Sequence, residues 1–216
     1  MPRGGVLRDT LLHATFFGGS QDDSLAVARV DVDGTIVFAG VTYSNDLPAT
    51  PGAYDTTKNG GEESYVARID ADGSALLACT YLGGPGIGAD AISKLAIDPN
   101  DGSIVVAGRT CSDSFPTTPG SYSPTPPGLS CDLFVARFSP DLSSLTASTY
   151  FGGTSDDLWS SMGLFGDGSI IVSGVTSTSG EFPYTVVNSP FDVGSPGSFL
   201  ARLTPDLSGL IWATPI

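Results

Sequence analysis

Histidine, cysteine and basic residues are scarce in this chain. One histidine, three cysteines and nine lysines plus arginines stand among 216 residues. With His13 alone there is no His/Cys cluster for zinc, and any His-based catalytic triad would have to use that one residue. Nine basic residues against 23 acidic ones leave a net charge of −14. Such a surface repels phosphate backbones and anionic membranes, so no nucleic-acid partner is expected. No apolar run approaches the ~20 residues of a spanning helix, so no membrane insertion is expected either. Nothing apolar follows Met1-Pro2-Arg3-Gly4-Gly5, so no signal peptide is visible. No segment carries helical periodicity.

What the chain does have is glycine and proline, 28 and 16 residues, and a phrase that recurs. Thr15-Phe16-Phe17-Gly18-Gly19-Ser20-Gln21-Asp22-Asp23 returns as Thr149-Tyr150-Phe151-Gly152-Gly153-Thr154-Ser155-Asp156-Asp157. Thr80-Tyr81-Leu82-Gly83-Gly84 is a shortened middle copy that reads on as Pro85-Gly86-Ile87-Gly88-Ala89-Asp90, without the Asp-Asp pair. A period of roughly 65 to 70 residues marks a repeat architecture. Each repeat reads as an alternating strand, an Asp-Gly turn, a more continuously apolar strand, a long loop and a second strand pair. The turns are Asp33-Gly34, Asp101-Gly102 and Asp167-Gly168. Asp-Gly between two apolar runs is a hairpin signal because glycine reaches positive φ without steric cost.

Four antiparallel strands repeated three times predict an all-β fold of propeller blades spanning residues 24–82, 90–151 and 158–214. Residues 1–23 would contribute one extra strand that completes or precedes a blade. Four motifs in fixed order (the Gly-Gly phrase, Asp-Gly-Ser-Ile-Ile-Val-Ser-Gly, Asp113 to Gly120, and Leu-Phe-Val-Ala-Arg-Phe) resemble the bacterial β-propeller repeat family called SBBP. The resemblance implies a propeller fold and an extracellular or cell-envelope setting, and supplies no catalytic residues. Three blades are too few to close, since propellers use about four to eight. Two explanations stand: a fragment of a longer repeat protein, or half of a six-bladed homodimer.

Strand order in such a blade puts the tight turns at one end and the long loops and crossovers at the other. That second end is the expected binding face. Asp22, Asp23, Asp156 and Asp157 lie in its crossovers, where they either draw a hard cation or cap turns through backbone N–H groups. No cofactor is otherwise expected, with Ca²⁺ the one metal the acids allow. Asp31-Val32-Asp33-Gly34 and Asp70-Ala71-Asp72-Gly73 lack the distal Glu of an EF-hand loop. Phe115 and Phe182, each before a proline, are either a ligand platform or anchors folding the loop onto its own blade. Leu47 takes the same place in the first repeat, and Tyr54, Tyr122 and Phe191 would assist. Arg68, Arg137 and Arg202 recur at one strand position and are expected to pair with acids of their own or a neighbouring blade.

Cys111 follows one strand and Cys131 precedes its antiparallel neighbour, a geometry that brings two Cα atoms within bridging distance. The other repeats lack both cysteines, so a disulfide is expected, and with it an oxidising compartment. Cys79 reads as a packing residue. The expected function is a non-enzymatic extracellular or cell-envelope scaffold that binds protein or glycan. Two alternatives are a carbohydrate-binding adhesin using the long-loop face, and a polysaccharide-active hydrolase or lyase whose carboxylate pair no motif singles out.

Overall fold

The repeated phrase becomes three four-stranded sheets. A computed structural model describes residues 14–112, 114–128, 131–177, 182–185 and 197–216. The first sheet holds β1 (Asp23–Val30), β2 (Ile36–Thr42), β3 (Glu63–Ile69) and β4 (Leu76–Leu82). The second holds β5 (Asp90–Ile97), β6 (Ile104–Thr110), β7 (Asp132–Phe138) and β8 (Leu145–Phe151). The third holds β9 (Asp157–Leu164), β10 (Ile170–Thr176), β11 (Ser198–Leu203) and β12 (Leu210–Pro215). Strands lie in chain order and every neighbouring pair is antiparallel.

Local chemistry accounts for the hairpins. Gly34, Gly102 and Gly168 follow aspartates at the β1–β2, β5–β6 and β9–β10 turns, with φ of 87°, 75° and 78°. Leu142 and Leu207 hold positive φ without being glycine, 58° and 55°. Both are fully buried, so apolar burial offsets the backbone cost. A register shift in each first strand lies opposite Gly40, Gly108 or Gly174. A Cβ at any of these would run into the carbonyl of Ser24, Ala91 or Leu158.

The sheets stack face to face, and each repeat buries apolar side chains alternately toward its two neighbours. Val37, Ala39 and Val66 of the first sheet meet Ile92, Leu95, Val106 and Phe134 of the second. From the other side of the second sheet, Val105, Val135 and Phe151 meet Val172, Phe199 and Leu203 of the third. Phe38, Tyr65 and Tyr81 form a smaller cluster on the outer side of the first sheet, with Phe17 against them.

The propeller expectation is corrected here. The three sheets are separate; none is closed by hydrogen bonds. The second sheet packs on the first and third through β5 and β9, and among the described residues the strands of the first and third sheets share no comparable packing. Strand pairing is used up inside each repeat, so the repeats associate through side chains and a few loop main-chain bonds, and among the described residues no further sheet covers either end of the row. Neither a partial propeller nor half of a six-bladed ring describes this arrangement. Thr15, Phe16 and Phe17, expected within an extra N-terminal strand, are in no strand, and His13 lies outside the described residues.

The long loops also differ from expectation. The described part of each runs along the outer edge strand of its own sheet. Thr50 N–H donates to Cys79 O at 3.0 Å and Tyr81 N–H to Asp55 O at 3.0 Å. Thr118 donates to Ser148 O at 3.1 Å, Tyr150 to Ser123 O at 3.0 Å, and Thr185 to Ala213 O at 3.0 Å. The loops therefore clothe the sheet edges, which would otherwise invite pairing with another chain. Their far ends reach the next sheet: Tyr54 N–H donates to Leu142 O, and Tyr122 N–H to Leu207 O.

Leu142 thus serves both the core and the loop of the preceding repeat. Leu142→Ala is expected to cost roughly 2–5 kcal/mol through the cavity it leaves. Urea unfolding checks this, and a midpoint unchanged from wild type would show that the site collapses around the void.

Candidate functional site: the buried acids at the sheet junctions

The last aspartate of each crossover is a latch. Asp23 Oδ2 accepts from Gly19 N–H at 2.7 Å and Ser44 Oγ at 3.0 Å, and its Oδ1 accepts from Thr42 Oγ1 at 2.5 Å. Asp157 Oδ2 accepts from Gly153 N–H at 2.7 Å. The middle copy does the same with Asp90, which accepts from Gly84 N–H and Ser112 Oγ, each at 2.8 Å. Of the Asp-Asp pair, the middle copy therefore lacks only the first member, which is Ala89. In every sheet the latch lies across the strand pair from a threonine, Thr42, Thr110 or Thr176.

Two further acids, not singled out from sequence, face these latches. Glu63 opens β3 and Asp132 opens β7, each five residues before the recurrent arginine. The same place in the third repeat is Gly197. Glu63 is fully buried at the first junction, and Glu63 and Asp90 both approach Gly83 so closely that a Cβ there would strike them. Glu63 Oε2 accepts from Asn59 N–H at 2.6 Å and Gly60 N–H at 3.2 Å. Glu63 Oε1 and Asp132 Oδ1 have no hydrogen-bond partner among the described residues. Burial pushes the carboxyls of Glu63, Asp90 and Asp157 above their ordinary values. Asp132 is pushed up to about 6, by burial first and by the charge of Asp157.

Fixed cations sit around the junctions unevenly. Arg68 pairs with Asp31 at 2.5 Å and Asp33 at 3.2 Å, Arg137 with Asp98 at 2.9 Å, and Arg202 with Asp167 at 2.7 Å. Arg68 and Arg137 also donate across to the following sheet, to Pro140 O and Gly168 O. In the third repeat Phe165 takes the place of the buried aspartate, and the Arg202 guanidinium lies 4.0 Å from its ring centre. Arg109 stands at the second junction, 3.3 Å from Asp156, and its charge offsets part of the upward shift at Asp132. Cys111 and Cys131 are joined in a disulfide with Cα atoms 4.1 Å apart, closing the neck of the second long loop. Cys79 is buried, and burial pushes its thiol up to about 12.

The other candidates do not gather into a site. Asp22 is exposed, with Gly18, Gly19 and Gln21 in an open cleft. Asp156 is exposed and held by Arg109. Phe115 and Phe182 are 3% and 5% exposed. Phe115 stacks on Phe134 at 4.2 Å and Phe182 lies 4.4 Å from Phe199. Leu47 is buried in the same way. Phe191 lies outside the described residues. Among the described residues no three or more His, Cys, Asp or Glu side chains gather to hold a metal. The expected long-loop binding face, which the adhesin reading used, does not stand free, because the described parts of those loops lie along the sheet edges, and the scaffold reading loses the propeller it was built on.

Two outcomes follow from these environments. Thiol titration of denatured, unreduced protein should report one reactive cysteine, and removing the bridge by Cys111→Ser with Cys131→Ser should cost about 3 kcal/mol in the chain-entropy account; three thiols before reduction would contradict the pairing. Asp132 binds its proton more tightly folded than unfolded, so its contribution to stability is full below pH 3.8 and is lost as pH rises toward about 6. Asp132→Asn should flatten the fall in stability across that interval, measured by urea melts at its two ends. A slope equal to wild type would remove Asp132 as a contributor.

No family model matches the chain, and no curated protein matches it at a significant level. The resemblance to the SBBP repeats is therefore not supported by a family match, and the separate, unclosed sheets do not support the propeller it implied.

Proposed function

We propose that the chain is an assembly unit that adds a second copy of itself head to tail, the third sheet of one copy docking on the first sheet of the next. The observation that carries this is the unequal burial of equivalent positions. Val37, Ala39 and Val66 of the first sheet, and Val105, Ala107 and Val135 of the second, are completely buried by the sheet that follows. Their counterparts Ile171, Ser173 and Leu200 are only half-buried. The opposite end of the row mirrors this. Leu25 is 60% exposed where its counterpart Ile92 is 1% exposed, and Ile36 and Ile69 are half-buried where Ile104 and Phe138 are fully buried. A cleft of 320 Å³ opens there, lined by Phe17, Leu25, Ile36, Phe38 and Tyr65.

Both internal junctions join a trailing face of one kind to a leading face of another, and the two outer faces are one of each. Contiguous apolar faces of this sort mark interaction surfaces. An interface between unlike faces is heterologous. Gly197 at the trailing end means that such a junction would bury the Asp23 latch without a second carboxylate against it, which removes a desolvation cost.

Light scattering after size exclusion is expected to show species at two or more times 22.1 kDa that grow with concentration. Leu200→Glu and Leu25→Glu should each leave a damaged face and shift the protein toward smaller species. Mixing the two variants should restore a heterodimer through the intact pair of faces. A monomer at every concentration, or variants that fail to complement, would overturn the proposal.

A further inference from the structure

We propose that the first junction binds a hard divalent cation of the Ca²⁺ class between Glu63 and Asp90. Both carboxylates are fully excluded from solvent. A buried carboxylate oxygen without a partner is costly, and Glu63 Oε1 is one. Its companion oxygen is already engaged by two backbone N–H groups, which orient the carboxylate. Glu62 and Asp55 add further negative charge around the pair. Glu62 is held by the Tyr43 hydroxyl, and Asp55 by Thr57 and Asn59.

The two junctions differ in what balances this charge. At the second junction Arg109 lies beside the acids. Arg109 precedes Thr110, which pairs with Asp132; the matching residue before Thr42, which pairs with Glu63, is Val41. The first junction therefore lacks the guanidinium that its twin carries. Lys58 is the basic side chain nearby, and its Nζ donates to Gly60 O at 2.7 Å. Backbone carbonyls are close as well. Gly84 O and Gly86 O lie 2.7 and 3.3 Å from where a Cβ on Gly60 would stand. The donors are carboxylate and carbonyl oxygens, the set that suits Ca²⁺ and not the nitrogen and thiolate set that selects zinc or copper.

The test is calorimetric titration of CaCl₂ into the chelator-treated full chain, with thermal melts in CaCl₂ and in EDTA. One site per chain is expected, with melting raised in calcium by mass action. Glu63→Gln should weaken binding by about tenfold or more. Val41→Arg should place the missing cation, abolish calcium binding and still melt cooperatively in EDTA, which keeps the test decisive if Glu63→Gln does not fold. No heat and no calcium-dependent melting in wild type would overturn the proposal, as would binding that survives both substitutions. These readouts are taken per chain and do not depend on whether copies associate.

Discussion

Burial of the middle sheet on both faces is the constraint on which the rest depends. Val105 and Val135 point one way and Val106 and Phe134 the other, and all four are completely buried. An isolated four-stranded sheet can cover one apolar face with its own loop, as Leu47 does over the first sheet and Phe182 over the third. It cannot cover both. A sheet with two apolar faces needs two neighbours, and the chain supplies them by repeating the same unit on either side. The row of sheets is thus a consequence of strand composition: near-continuous Val/Ile/Ala runs in β2, β6 and β10 in place of clean alternation.

Apolar packing alone would let one sheet slide on the next, and the polar contacts at the junctions fix the position. Arg137 is the clearest case. It lies almost wholly buried against Asp98 and also donates to Ser103 Oγ and to Gly168 O of the following sheet. Taking such a pair out of water costs several kcal/mol per ion before attraction repays it. Its geometric content is clearer than its net energy: one guanidinium ties the hairpin of its own sheet to the turn of the next. Tyr54 and Tyr122 do the same with main-chain bonds, reaching the carbonyls of the two leucines whose backbones sit at positive φ.

What depended on short-range chemistry was legible in the sequence. The Asp-Gly turns, the recurrent Gly-Gly phrase and the matched absence of Cys111 and Cys131 from the other repeats all state local geometry, and the disulfide sits where their positions put it. The pairing of the recurrent arginines with nearby acids was legible for the same reason. How the sheets associate was not. That depends on the fit of side chains between units, and a repeat phrase says nothing about whether the last unit meets the first. Long loops looked free because their edge pairing uses main-chain atoms of Thr50, Asp55, Thr118 and Ser123, which leave no mark on residue type. Glu63 and Asp132 were visible as acids five residues before an arginine. In a chain with 23 acidic residues that spacing stands out only once the latches they face are known.

The two junctions share a backbone plan and differ in charge, and this separates what the repeat requires from what each copy adds. The latch aspartate is required: it appears three times, binds the second glycine of its crossover each time, and sets where the first strand begins. The facing acid is not required, since Gly197 replaces it in the third repeat. An acid that the fold can omit, yet that is buried at the two internal junctions at a desolvation cost, needs a compensating charge. Arg109 supplies one at the second junction, from a position where the first sheet carries valine. The imbalance therefore falls on Glu63 and Asp90, in a part of the molecule where the backbone is already fixed by Gly61 N–H to Gly86 O and Asp90 N–H to Glu62 O. A rigid frame around an uncompensated pair of oxygen donors is an arrangement that favours a cation over collapse, because the carboxylates cannot move apart to reach water.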